Sequence, residues 1–111
     1  MPDRIRTADE LQRALSVDGF LLFKHSTLCP VSSRAFEEYC GWAEEHPDAL
    51  TGWIEVVQER VLARAVAEST GVGHESPQAL LLVRGTALWH ASHGAITRDA
   101  LGAVVDSRTR G

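Results

Sequence analysis

The sequence is poor in the features that mark exported or membrane-bound proteins. Its 111 residues contain two cysteines and no apolar run long enough for a signal peptide or a membrane span. We therefore expect a cytoplasmic protein that makes no contact with a membrane. In a reducing compartment each thiol is expected to be a core, catalytic or metal-binding group, and not half of a permanent disulfide.

Basic residues are also in short supply. Eleven lysines and arginines stand against 15 aspartates and glutamates, which gives a formal net charge of -4 and a pI near 5.7. A protein that binds nucleic acid needs a basic surface to attract the phosphates. The charge balance therefore argues against a nucleic-acid partner and favours a protein or a small molecule.

Repeats, linkers and low-complexity segments are absent as well. Hydrophobic residues make up 44% of the chain and charged residues 23%, a composition typical of soluble globular proteins. A chain of this length can bury a core unaided and has no room for a second domain. We expect one domain over residues 1–111.

The hydrophobic pattern predicts alternating helices and strands. The predicted helices cover residues 8–16, 30–46, 59–69 and 97–105, and the predicted strands cover 20–25, 50–57, 79–83 and 87–91. After the short N-terminal helix the order is strand, helix, strand, helix, strand, strand, helix, which is typical of an α/β fold. We expect a four-stranded mixed sheet with helices on both faces, in the thioredoxin-like or glutaredoxin arrangement.

A cysteine stands at the first junction between strand and helix, in the stretch STLCPVSS. Pro30 suits the first helical position, where its missing N–H would be unpaired in any case, so Cys29 becomes the N-cap. There the sulfur would face unpaired backbone N–H groups, including that of Ser32, which favour the thiolate. The alternative is a buried cysteine used as a small hydrophobe. The polar neighbours Ser26 and Thr27 favour the reactive thiol.

No second thiol stands where a redox motif would place it. Ser32 occupies that position, so a mixed disulfide on Cys29 would persist until an outside thiol attacked it. Cys40 lies on the same predicted helix, about 16 Å further along its axis. A disulfide needs Cα atoms within about 7 Å of each other, so we expect Cys40 to be a core residue.

Pro77 precedes the predicted third strand. An X–Pro bond is cis in only about 5–6% of cases in folded proteins, so the sequence alone favours trans. The fold pattern reverses that expectation and predicts a cis bond between Ser76 and Pro77. The backbone of Ser76 would then be an edge on which an extended thiol substrate could dock through strand-like hydrogen bonds.

Histidines near the end of the chain are a weak candidate for a metal site. His90 and His93 are three residues apart, a spacing that places two ligands on one face only in a helix. We read this segment as a strand, and we expect no metal. Trp89 is expected to pack under the sheet, with the histidines hydrogen-bonded or in solvent.

Three segments together resemble one family. KHSTLCPVS (24–32), HESPQ (74–78) and WHASH (89–93) are similar in order and sequence to the monothiol bacilliredoxins of the YtxJ type. The resemblance implies a thioredoxin-like protein that works with bacillithiol as a thiol co-substrate. Cys29 would take bacillithiol from S-thiolated client proteins, and free bacillithiol or another oxidoreductase would regenerate it. The expected substrate-binding residues are Thr27, Leu28, Pro30, Ser32, Ser76 and Pro77.

The chain departs from that family at two places. Leu28 stands where threonine is usual, and Val61-Leu62-Ala63-Arg64 replaces a Pro-x-Ser-Asn start to a helix. Both positions bear on how a small thiol is held.

Two other functions remain open at this point. Monothiol glutaredoxins, which carry iron–sulfur clusters, also have a C-x-x-S site, but with glycine and phenylalanine where this chain has Pro30 and Val31. Visible absorption that bleaches with a chelator would favour such a carrier. An inert adaptor would be favoured if Cys29 behaved as an ordinary thiol.

Overall fold

A mixed β-sheet lies at the centre of the structure, a computed structural model that describes residues 2–110 and the side chains of residues 2–106. The elements in chain order are β1 (Asp3–Arg4), α1 (Ala8–Ser16), β2 (Asp18–His25), α2 (Pro30–Glu45), β3 (Thr51–Glu55), α3 (Arg60–Thr70), β4 (Gln78–Val83), β5 (Thr86–Ser92), a 3₁₀ turn (His93–Ala95) and α4 (Arg98–Arg110). The predicted α/β order is confirmed. None of the described helices is both long and apolar enough to cross a bilayer.

The sheet has five strands in the order β1-β3-β2-β4-β5, so the predicted count of four is wrong. Strands β1 and β2 run parallel to β3, whereas β4 is antiparallel to β2 and β5. The extra strand is β1, which pairs Asp3 with Gly52 and Arg4 with Trp53. The sequence did not predict this strand because two charged residues show no hydrophobic alternation. They form a strand by pairing with the open edge of β3.

Each face of the sheet carries its own core. Along β2, Leu22 packs into the core beneath α1 and α3, while Leu21 and Phe23 pack into the core beneath α2 and α4. The same alternation runs along β4, which explains why both strands are unbroken apolar runs in the sequence. Helices therefore cover both faces, as predicted.

Local signals that the sequence predicted are present at the ends of the helices and at the hairpin. Thr7 and Glu10 form a reciprocal capping box at the start of α1. Gly71 ends α3 in the left-handed conformation at φ 75°. The turn between β4 and β5 has φ of 49° at Arg84 and 81° at Gly85, as a two-residue hairpin loop requires.

Candidate functional site

The loop of residues 26–29 places Cys29 at the first turn of α2, and we call it the catalytic loop because it carries the cysteine that the sequence predicts to be catalytic. Cys29 is the N-cap, Pro30 is the first helical residue, and the thiol is free and half-buried. The Cys29 N–H donates to the Ser26 carbonyl at 3.2 Å, and the Cys29 carbonyl accepts from the Ser33 N–H at 3.1 Å. The sulfur accepts no capping hydrogen bond from the described residues, so the predicted contact with the Ser32 N–H is not formed. Backbone hydrogen bonds therefore fix the position of Cys29, and its thiol remains partly exposed to solvent.

Ser32 is fully buried behind the catalytic loop. Its Oγ accepts from the Ser26 N–H at 2.8 Å and lies 2.8 Å from His25 Nδ1. Burial, opposed by the Glu55 carboxylate, lowers the pKa of His25. The neutral imidazole and the Ser32 hydroxyl share one hydrogen bond, whose donor is set by the tautomer of the ring. The Ser32 side chain therefore joins the end of β2 to the first turn of α2 and does not reach the surface.

An aromatic cluster holds the His25 ring in place. The ring stacks on Phe36 with centroids 4.3 Å apart and meets Trp53 edge-on at 5.7 Å. Phe23 stacks in turn on Tyr39 at 4.7 Å. Because both neighbours of the His25 ring are large and packed, the histidine orients Ser32 and has little freedom to turn.

Glu55 braces the catalytic loop from β3, a role that the sequence analysis missed. The buried carboxylate accepts from the Thr27 N–H and Oγ1 at 3.2 and 3.1 Å, and from the Val57 and Gln58 N–H groups at 2.6 and 3.3 Å. Burial raises the pKa of Glu55, but these hydrogen bonds outweigh it, and the net shift is downward. The available signal was an acidic residue at the end of an apolar strand.

The predicted cis bond between Ser76 and Pro77 is present. Pro77 is buried and its carbonyl accepts from the His93 N–H at 3.2 Å, whereas Ser76 is half-buried. Ser76 lines a cavity of about 330 Å³ together with Ser26 of the catalytic loop. The structure thus brings the two segments that the sequence analysis selected to one place.

The other predicted substrate-binding residues lie on the surface around Cys29. Thr27, Leu28 and Pro30 are exposed, with 78% of the surface of Leu28 in solvent. Val31, on the first turn of α2, is 47% exposed. An accessible rim with apolar patches therefore surrounds the thiol.

Cys40 lies on the inner side of α2, away from the catalytic loop. It is half-buried and packs against the core between α2 and the sheet, as expected. Burial raises the pKa of its thiol. Both cysteines are free, and Cys40 is kept in its less reactive protonated form.

The histidines after Trp89 form no metal site with their neighbours. His90 is exposed on β5, and His93 Nδ1 lies 3.4 Å from Glu75 Oε2 at the surface. Trp89 packs partly under the sheet. Within residues 2–106, no group of three or more histidine, cysteine or acidic side chains is arranged to hold a metal ion.

Lys24 is a buried cation on β2. It has no exposed surface, and its Nζ lies 3.2 Å from His74 Nδ1. Burial lowers the pKa of Lys24 from 10.5 to about 8. The ammonium therefore loses hydration in the folded chain, and no carboxylate among residues 2–106 pairs with it.

Replacement of Lys24 by methionine should stabilise the fold at pH 7 by about 1–2 kcal/mol, since a well-packed apolar side chain avoids the desolvation of the ammonium. The folded-state pKa lies below the unfolded one, so the folded chain binds fewer protons between pH 8 and 10.5. The free energy of unfolding of the parent should therefore rise with pH relative to that of Lys24→Met across this window. Urea unfolding of both proteins at pH 7, 8, 9 and 10, with a reductant present, measures this difference in the free energy of unfolding. A constant difference between the two proteins would contradict the assignment.

Comparison with known proteins agrees with this geometry. A family model described as monothiol bacilliredoxin BrxC matches residues 3–101. One solved structure, of a protein with a thioredoxin fold proposed to be an oxidoreductase, is 30% identical with a TM-score of 0.84, over 92% of this chain and 91% of that one. A thioredoxin mutant from Halobacterium salinarum shares the fold at 24% identity and a TM-score of 0.76, over 96% and 88% of the two chains.

A more distant neighbour shares the fold although its sequence is very different. Thioredoxin from Malassezia sympodialis is 12% identical with a TM-score of 0.77, over 96% of this chain and 90% of that one. This likeness supports the fold alone, whereas the family match covers the catalytic loop, the Ser76–Pro77 segment and the first turn of α4. The chain belongs to the monothiol bacilliredoxin family.

Proposed function

We propose that this protein removes bacillithiol from S-bacillithiolated proteins in the cytoplasm, through a mixed disulfide on Cys29. One observation carries the proposal: a half-buried, free thiol at the start of α2 has a buried serine, and not a cysteine, three residues on. An enzyme with that arrangement can accept a thiol group but cannot expel it with its own chain. Family membership supports bacillithiol as the group that is exchanged.

The reaction consists of two thiol–disulfide exchanges. In the first, the Cys29 thiolate attacks the bacillithiol sulfur of the mixed disulfide, a Cys29–bacillithiol disulfide forms, and the client leaves as its thiolate. In the second, the thiolate of free bacillithiol or of another oxidoreductase attacks that disulfide and releases Cys29 as a thiolate. The number of disulfides is unchanged in each exchange, so the cycle needs no oxidant.

The surface around Cys29 suits a protein client. We propose that Thr27, Leu28 and Pro30 contact the client on the side of the catalytic loop. Four of the large exposed hydrophobic side chains lie on this loop, on the first turn of α2 or near the start of α3: Leu28, Val31, Val57 and Val61. Apolar surface of this kind is typical of contacts with other proteins.

Ser32, Ser76 and Pro77 complete the proposed site. We propose that Ser32 acts from inside by holding the Ser26 N–H and the His25 ring, which orders the catalytic loop. Ser76 lies beside that loop and is proposed to receive the extended part of the substrate through its backbone. Pro77 shapes this segment.

The proposal is tested with a model protein that has one surface cysteine carrying bacillithiol. Incubation with the reduced protein should move one bacillithiol mass to the Cys29 peptide and free the client thiol, as read by intact-mass and peptide mass spectrometry. The Cys40→Ala variant is the matched control and should transfer equally well. If the client kept its bacillithiol while a glutathionylated client was freed, the proposed thiol would be wrong although the chemistry would stand.

A further inference from the structure

A basic cavity lies beside the catalytic loop. Its volume is about 330 Å³, and its walls include Ser26 and Ser76 on one side, Arg60 and Arg64 of α3 on another, and His74. No carboxylate is among the residues that line it. Two arginines thus line a concave surface that also includes Ser26 of the catalytic loop.

The two arginines have no partner within the part of the chain that the structure describes. Arg60 and Arg64 are exposed, and neither makes a hydrogen bond or an ion pair with a described residue. Of the acidic side chains nearby in the chain, Glu59 pairs with Arg4 at 3.8 Å, Glu55 braces the catalytic loop, and Glu68, four residues after Arg64, forms no ion pair with it. Both guanidinium groups are therefore available to an anion.

A third cationic side chain, that of Lys24, lies behind His74 at the wall of the cavity. Lys24 is completely buried, and its ammonium nitrogen lies 3.2 Å from Nδ1 of His74, which lines the cavity. No carboxylate lies within 4 Å of this ammonium among the described residues. A buried cation without a counter-ion is costly, and an anion bound in the cavity would offset that cost.

From this arrangement we infer that the cavity binds a carboxylate of the small thiol that is exchanged at Cys29. The inference rests on the proposed function and names the substrate class, a small thiol with at least one carboxylate. The Cys29 N–H donates to the carbonyl of Ser26, a residue that lines the cavity, so a carboxylate bound there lies beside the loop that holds the sulfur. Arg64 and Arg60 hold the anion, and Lys24 supports it from behind His74.

The first test compares two symmetric disulfides of similar size. Dithiodipropionate carries a carboxylate on each half, whereas bis(2-hydroxyethyl) disulfide is neutral. With either one, the Cys29 thiolate attacks one sulfur, a Cys29–S–S–R bond forms, and R–S⁻ leaves and takes a proton from water. The measured quantity is the ratio of the two second-order rate constants, anionic over neutral.

The double variant Arg60→Gln/Arg64→Gln should lower this ratio about tenfold, the effect of losing one strong charge-assisted contact. Arg34→Gln is the matched control, because Arg34 is an exposed arginine on α2, five residues after Cys29 and outside the cavity. It should keep the parent ratio. An unchanged ratio in the double variant, or an equal loss in Arg34→Gln, would overturn the inference.

A binding measurement separates this inference from the proposed function. Succinate added to the Cys29→Ser variant should shift the backbone amide NMR signals of Ser26, Arg64 and His74, and the shifts should vanish when Arg60 and Arg64 are also replaced by glutamine. Absence of these shifts would overturn the anion site and leave thiol exchange standing. Shifts in a protein whose parent reacts with neither disulfide would keep the anion site and overturn the exchange chemistry.

Discussion

Replacement of Cys29 by serine should abolish thiol transfer, with a fall in rate of at least about a thousandfold, because a serine hydroxyl is not ionised near neutral pH and is a poor nucleophile toward a disulfide. The isosteric change leaves the N-cap position and the backbone bonds to Ser26 and Ser33 in place. The loss should therefore appear without a change in the unfolding midpoint. Intact-mass spectrometry after exposure to a small disulfide should find one added thiol on the parent and none at position 29 of the variant.

Cys40→Ala is the control for this experiment. Its thiol is half-buried and its pKa is raised by burial, so it contributes little thiolate. The variant should accept one thiol at the parent rate. A reversible loss of two hydrogens on mild oxidation, with Cys29 and Cys40 joined in the peptide map, would contradict the monothiol mechanism.

Replacement of Glu55 by alanine should lower the free energy of unfolding by about 2–4 kcal/mol, because several buried or partly buried N–H groups lose their acceptor at once. These donors belong to Thr27 of the catalytic loop and to Val57 and Gln58. The catalytic loop should loosen as well, and thiol exchange at Cys29 should slow. Urea unfolding and the rate of reaction with a neutral disulfide measure the two effects.

Glu55→Gln is the matched variant, since it keeps the shape and one carbonyl acceptor but removes the charge. The pKa of Glu55 is lower in the folded state than its ordinary value of 4.5, so its contribution is present above pH 4.5 and is lost as the pH falls below it. The parent should therefore lose more stability than Glu55→Gln on acidification below about pH 4.5. Equal stability of Glu55→Ala and the parent at pH 7 would show that Glu55 does not brace the loop.

Local chemistry made much of this protein predictable from its sequence. Thr7 with Glu10 marks the start of α1, Gly71 marks the end of α3, and Pro30 after Cys29 marks the start of α2. These signals act over a few residues, so they need no partner from elsewhere in the chain. The position of Cys29 at the start of a helix, the serine three residues after it and the family were all accessible from such short segments.

The tertiary structure alone decided the features that depend on residues far apart in the chain. β1 forms because Asp3–Arg4 pairs with the open edge of β3, about 50 residues later in the chain. Glu55 likewise accepts a hydrogen bond from the N–H of Thr27, 28 residues before it. The basic cavity joins side chains from α3 and from the segment before Pro77, with Lys24 behind them. In the sequence, Lys24 and Glu55 read as ordinary charges at the ends of strands, and Arg60 and Arg64 as ordinary charges on a helix. Whether such a charge is solvated, paired or left facing a cavity depends on which elements the fold packs together, and only the folded chain determines that.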